Sequence, residues 1–502
     1  MLFNSLEFLI FAPIALAVSA LLRGWLLKTW LIGASYVFYG WAQPSFCLLL
    51  LVSTTVDFFA AQGVARFKQA WPRRLCLLGS IATNLGLLGY FKYAGFFAQS
   101  INALTDAGLP VPYILLPAGI SFYTFQTLSY TIDVYRGRLK PTSNFLTMAL
   151  YVSFFPQLVA GPIERAGHLM AQLDTPPNRT QDDAMAGITR ILWGLMKKVV
   201  FADWLSFYSR QILATPESFH GWELALAVTC FAYVIYLDFS AYSDIAIGLA
   251  RCMGIRLREN FKHPYIARNV SEFWRRWHIS LSEWLRDYLY FPLGGSRKGS
   301  IRTGLNLVIV MFLGGLWHGA DWRFVLWGLW HGLGLLIYHA WSQAWPKLQS
   351  KLLPSLKQNE NHPIKPDGFA PFRIRDVPAI ALTFGFVWIS WIPFAAQPIT
   401  GPKGRVEQTG LQTAQKIFDG VFRSTDKGFW GSPTGWEVVD VLRVVIVLAI
   451  AILAHYTRAL GIGQGLLAIR NPYLIGLFWA VVIIISVLLL APTSDRFIYF
   501  QF

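Results

Sequence analysis

The chain has 502 residues, 55% of them hydrophobic and only 14% charged, where an ordinary soluble domain is about 25% charged. Its 38 Phe, 21 Trp and 20 Tyr suit a protein that meets both lipid and the lipid–water boundary, which excludes a secreted enzyme, a nucleic-acid-binding domain and a disordered scaffold. The formal net charge of +16 is then Lys and Arg gathered in cytoplasmic loops, and not a nucleic-acid footprint.

At about 20 residues per span, the length accommodates on the order of ten to fourteen membrane helices. Residues 6–22 are apolar, with no basic segment before them and no small-residue cleavage site after, so a retained span is expected. Arg23 and Lys28 follow. Two apolar runs that turn at Gln43-Pro44 lead to Arg66, Lys68, Arg73 and Arg74. Residues 75–91 cross next, 100–112 hold Asp106 and no Lys or Arg, and 113–133 return to Arg136, Arg138 and Lys140. These basic clusters agree on one topology, cytoplasmic for the clusters and outward for the N-terminus. Further helices are expected near 145–160, 191–209, 222–237, 240–255, 302–318, 323–345, 378–396, 438–459 and 474–491, some of them re-entrant. Residues 346–377 read as a polar, Pro-rich loop, and 397–436 as a second polar loop within a C-terminal region of 378–502. There Leu411, Ala414, Phe418 and Val421 have the spacing of one apolar face of a surface-lying helix. Cys47, Cys76, Cys230 and Cys252 lack metal or redox spacing and read as small core residues.

Polar chemistry concentrates in 238–332. Asp238 and Asp244 lie in an apolar run, where a carboxylate is functional or is paired with a basic residue on a neighbouring helix. Residues 251–302 hold eleven Lys/Arg against four Asp/Glu, which a solvated loop explains in number but not in pattern. Over 272–288, Trp277, Leu281, Trp284 and Tyr288 form one helical face, with Arg275, His278, Ser282 and Arg286 nearer the other. This predicts an amphipathic helix, at the interface or folded back into the protein. His318 ends an apolar run with no charged residue in the seven positions before it. It is a general-base candidate or a core histidine bonded to a carbonyl. His331 has the same ambiguity and a weaker case. No Walker A loop, GxSxG elbow, HExxH or EF-hand loop is present, so ATP hydrolysis and zinc proteolysis have no support.

Glu259-Asn260-Phe261-Lys262-His263-Pro264-Tyr265, Glu272-Phe273-Trp274-Arg275-Arg276-Trp277-His278, Leu285-Arg286-Asp287-Tyr288 and Gly315-Leu316-Trp317-His318-Gly319 closely resemble the membrane-bound O-acyltransferase family. Within it they resemble the bacterial branch that O-acetylates alginate or transfers D-alanine to lipoteichoic acid. Gly119–Phe125, Tyr130–Gly137 and Ala160-Gly161-Pro162 extend the resemblance, which runs from the N-terminus to about residue 345. Asp238–Asp244 and Leu289–Gly295 favour the acetylating side.

The resemblance implies an all-α polytopic membrane protein, with roughly 11–14 transmembrane or re-entrant helices around a central pore, and a core domain over 1–345. It implies acyl transfer from a cytoplasmic thioester, with acetyl-CoA as donor and no bound cofactor or metal. The acceptor hydroxyl would lie on an exported polysaccharide or on a periplasmic acetyltransferase partner, beyond the bacterial inner membrane. His318 is the essential histidine it implies, and His278 its partner across the pore. Asn260, Trp274, Arg275, Asp287 and Trp317 are the expected substrate-side residues, and Arg275 and Arg276 either steer a phosphate-bearing donor or meet lipid headgroups. D-alanyl transfer to teichoic acid is the alternative within this chemistry, and an ion or solute transporter the alternative outside it.

Overall fold

The computed structural model describes residues 1–112, 114–175, 177–219, 221–352, 369, 373–400, 406–423, 438–460, 476, 480, 481 and 497. Most of the expected helix at 474–491, most of the 346–377 loop, and 401–405 and 424–436 of the second loop lie outside them. In chain order the helices are α1 (Leu6–Leu21), α2 (Gly24–Gly40), α3 (Phe46–Arg66), α4 (Ala70–Leu88), α5 (Ala94–Thr105), α6 (Ile120–Tyr135) and α7 (Phe145–Ser153). Then come α8 (Phe155–Leu158), α9 (Ala166–Asp174), α10 (Gln181–Met196), α11 (Asp203–Ala214), α12 (Gly221–Cys252), α13 (Val270–Arg276) and α14 (Ile279–Leu285). The last are α15 (Ser300–His318), α16 (Trp322–Leu352), α17 (Val377–Ala395), α18 (Gly410–Arg423) and α19 (Val438–Ala459). One short antiparallel pairing joins Ile399–Thr400 to Val406–Gln408. The protein is otherwise all-α, and among the described residues six helices are long and apolar enough to cross a membrane.

The chain forms two compact units. The first comprises Met1–Val199, Leu237–Asn260 and Asp495–Phe502. Its α6 is buried almost all round from Ile120 to Thr131, and it starts at Gly119 with φ +75°, where a Cβ would lie 2.8 Å from the Leu158 carbonyl. Asp57 on α3 is fully buried and is satisfied by donors from two neighbouring helices. Ser80 and Asn84 of α4 and Thr131 of α6 all donate to it. The carboxylates singled out on α12 are also paired. Asp238 meets Lys198 at 2.7 Å, and Asp244 meets Lys197 at 2.6 Å and Arg190 at 2.8 Å. Arg190 also holds Glu259, at 2.5 Å. Both aspartates are therefore ion-paired with basic residues of the preceding segment.

The second unit comprises Val200–Tyr236 and Phe261–Ser494. At its centre α15 and α16 pack closely through glycines. A Cβ on Gly315 would fall on the Phe324 carbonyl, and one on Gly328 on the Met311 carbonyl. The helix expected over 272–288 is broken in two at Trp277-His278, where His278 takes φ 42°. A left-handed non-glycine residue persists only where its surroundings over-determine it, and such strain gathers at functional sites. α13 starts at Asn269, whose side chain accepts from the Glu272 amide at 2.8 Å. α14 then runs back along α15: His278 lies beside His318, Leu285 beside Gly314, and the Leu293 and Gly295 carbonyls take the Asn306 amide. α15 has 19 residues and so a length of about 28 Å. Residues 278–295 therefore run back along α15 from His318 to the level of Asn306, about 18 Å along the helix. Irregular backbone at that depth is tolerated because protein covers it. α16 continues to Leu352, several residues into the stretch expected as loop.

Candidate active site

His318 is the last residue of α15, and only 6% of it is exposed. Rings that surround it include Trp327, with its centroid at 4.9 Å, Trp317 at 5.0 Å, Phe394 at 5.4 Å and His278 at 6.4 Å. His278 is fully buried, 5.6 Å from Trp317 and 6.4 Å from Phe261. The break between α13 and α14 is what turns its ring toward α15.

Trp327 sits between His318 and His331, 4.8 Å from the latter and 5.9 Å from Trp391 of α17. It is fully buried, and its indole N–H has no acceptor among the described residues. His331 is hydrogen-bonded at one ring nitrogen, and its buried Nδ1 has no partner among the described residues. Its Nε2 lies 3.0 Å from Ser390 Oγ, and Ser390 spends its own proton on the Val387 carbonyl at 2.5 Å. His331 must therefore donate from Nε2.

The other expected residues divide. Trp317 and Trp274 join the aromatic wall, Trp274 at 5.7 Å from Trp327 and 5.2 Å from His331. Asn260 is buried and donates to Ser243 Oγ at 3.4 Å. Asp287 lies 2.8 Å from its neighbour Arg286, on the return leg beside α15. Arg276 is not free to steer a donor, because it holds Glu272 at 2.7 Å and the Lys262 carbonyl at 3.0 Å. Glu272 also takes Arg268 at 3.0 Å. Arg275 is exposed. Trp391 and Phe394 come from α17, beyond the resemblance, and sequence reasoning missed them. The repeat Leu316-Trp317-His318-Gly319 and Leu329-Trp330-His331-Gly332 was a signal for this hairpin, since its small and aromatic residues are what pack α15 on α16. Among the described residues no cluster of three or more His, Cys, Asp or Glu could hold a metal.

The arrangement is a dry aromatic chamber around two imidazoles, suited to moving a proton without leaving a permanent charge in the membrane. The sequence profile of the membrane-bound O-acyltransferase family matches residues 136–351. A probable alginate O-acetylase of Pseudomonas putida is 44% identical over 68% of this chain and 71% of its own length. The peptidoglycan O-acetyltransferase of Helicobacter pylori is 33% identical over 78% of this chain and 73% of its own. The chain belongs to the membrane-bound O-acyltransferase family. It is accordingly an O-acyltransferase and a multi-pass membrane protein, related to enzymes that O-acetylate envelope polysaccharides. The teichoic acid D-alanyltransferase of Bacillus subtilis is a more distant relative, 28% identical over 56% of the chain and 69% of its own length.

Proposed function

We propose that the chain moves an acetyl group from a cytoplasmic thioester, acetyl-CoA in the simplest case, through the bacterial inner membrane. The acceptor is a hydroxyl of an exported envelope polysaccharide of alginate, cellulose or peptidoglycan type, reached directly or through a periplasmic acetyltransferase partner. The N-terminus faces outward. His318 takes the hydroxyl proton as the oxygen attacks the thioester carbonyl. The C–O bond forms, the C–S bond breaks, and the proton passes to the departing thiolate. His278 holds the facing wall, and the Trp327 indole N–H offers a hydrogen bond to the carbonyl oxygen as negative charge develops there.

The observation that carries this reading is the contact of His278 with His318 inside the aromatic chamber. The acetyl group is favoured over D-alanine because relatives named for alginate acetylation are 42–45% identical, against 28–31% for those named for D-alanyl transfer. The transporter reading loses its main support, because Asp238 and Asp244 already answer Lys198, Lys197 and Arg190.

The test is base-labile acetate on separated exopolysaccharide and peptidoglycan fractions, from cells lacking the chain and complemented with wild type or His318→Ala. Ester restored by wild type alone names the polymer. Acetate unchanged in every fraction rejects the reading.

A further inference from the structure

Arg323 stands five positions after His318, at the start of α16, and only 5% of it is exposed. Asp321 accepts from its amide at 2.9 Å and lies 3.4 Å from its Nε. The guanidinium rests over the Phe324 ring, 4.5 Å from the centroid. Its remaining donors meet the end of α17. Nη1 donates to the carbonyls of Ala396 and, at 3.5 Å, of Phe394, and Nη2 lies 3.4 Å from Gln397 Oε1.

A helix ends in carbonyls that have no intrahelical partner and in the negative end of its dipole. α17 ends at Ala395, and Pro393, near that end, supplies no N–H to the helix. The last turn is therefore held loosely by its own backbone. A guanidinium answers such a terminus with charge and with several directed donors. The next helix leaves room for this contact. A Cβ on Gly410, the first residue of α18, would lie 2.9 Å from Arg323 Cδ and 3.4 Å from the Ala396 carbonyl oxygen. Glycine at that position is what lets α18 close over the arginine.

Phe394 links the contact to the aromatic chamber. Its ring is buried, 5.4 Å from His318, 5.3 Å from Trp327 and 4.9 Å from Phe324. Apolar contacts of this kind are non-directional and do not fix how far α17 slides along its neighbours. Hydrogen bonds to the Phe394 carbonyl and to one two residues on are directional and do fix it. His318 and Arg323 belong to one short stretch of chain. What Arg323 fixes is therefore the place of Phe394 relative to His318.

We propose that Arg323 is a positioning residue for acyl transfer. By holding the Phe394 and Ala396 carbonyls it seats the Phe394 ring against His318, and so sets the orientation of the imidazole. Arg323 itself touches neither donor nor acceptor. The inference rests on the reading of His318 as the base in acyl transfer, and adds the residue that keeps the far wall of its chamber in place.

The experiment uses the purified full-length chain in nanodiscs, as wild type, Arg323→Met, Arg323→Lys, Phe394→Leu and the double variant Arg323→Met with Phe394→Leu. Two quantities are read. One is acetyl transfer from acetyl-CoA to the polymer that the acetate assay identifies, as kcat and KM. The other is the rate at which diethylpyrocarbonate modifies His318, followed by peptide mass spectrometry, which requires no turnover. Arg323→Met should lower kcat about tenfold to a hundredfold with KM little changed, and His318 should be modified faster than in wild type. Arg323→Lys keeps one charged donor and should restore part of both, since an ammonium lacks the planar fork of a guanidinium. In the Phe394→Leu background Arg323→Met should add little to either effect, because residues that act through one another are not additive. Should Arg323→Met fail to accumulate, Arg323→Lys with and without Phe394→Leu makes the same comparison. Wild-type kcat and modification rate, with only the unfolding temperature lowered, would make Arg323 merely structural and overturn the proposal. So would losses that multiply undiminished in the Phe394→Leu background. If wild type transfers no acetyl group, the acyl-transfer reading fails, and the His318 modification rates still decide whether Arg323 acts through Phe394.

Discussion

Replacing Gly315 by Ala tests whether the α15–α16 contact sets the geometry of the site. A Cβ there would land on the Phe324 carbonyl oxygen and lie 3.1 Å from Gly328 Cα. Favourable carbon–carbon separation is about 3.5–4.0 Å. Both obstacles are backbone atoms and cannot rotate aside, so the two helices must part by on the order of 1 Å. Overpacking of this kind costs about 1–3 kcal/mol. The larger effect is on chemistry. His318 is one turn along from Gly315, while Trp327 is carried by α16, so the gap opens between the base and the ring against it. A misplacement of about 1 Å can reduce rate on the order of a hundredfold. Gly385→Ala on α17 is the matched control, because nothing lies within 4 Å of its added Cβ. A helical Ala there should gain about 0.5–1 kcal/mol. Ester acetate on the polymer and thermal unfolding of the detergent-solubilised protein read the two effects. Wild-type acetate and unfolding temperature for Gly315→Ala, or equal damage from Gly385→Ala, would refute the reasoning.

His318→Ala should abolish transfer while the protein still inserts and accumulates, as judged by membrane immunoblot alongside the acetate assay. Trp327→Phe keeps a ring beside His318 but removes the N–H, so kcat should fall about a hundredfold or more with KM little changed; an unaltered kcat would remove Trp327 from the mechanism. Asp238→Asn removes the negative charge that meets Lys198, and with both side chains almost fully buried it should cost about 3–5 kcal/mol. The double change Lys198→Met with Asp238→Leu should recover most of that thermal stability, which a catalytic or ion-conducting Asp238 would not allow in the transfer assay.

Much of the fold class was legible in composition, because a bilayer admits only long apolar helices with internally satisfied backbones. The two histidines that the structure brings together were legible too, as local motifs around His278 and His318. Helix continuity through Trp277-His278 was not: periodicity sees an apolar face on both sides of that dipeptide and is blind to the left-handed turn that splits it. Nor could spacing alone decide between a functional and a structural Asp238 or Asp244, since the answering cations, Lys198, Lys197 and Arg190, are some forty to fifty residues away in the chain. The same holds for Arg275 and Arg276. They are adjacent in sequence and alike in charge, yet Glu272 claims one and leaves the other exposed.

What the sequence determined by itself was therefore the chemistry available: a chain that must live in a membrane, two histidines in apolar settings, and a strongly basic stretch between spans. Which imidazoles meet one another, which one meets a serine, and which carboxylates pair with which cations were decided only by tertiary structure. The reason is physical. Burial, pairing and hydrogen bonding depend on what the distant segments α16 and α17 place against each group, and for His331 that was Ser390, while for His318 it was Trp327 and Phe394.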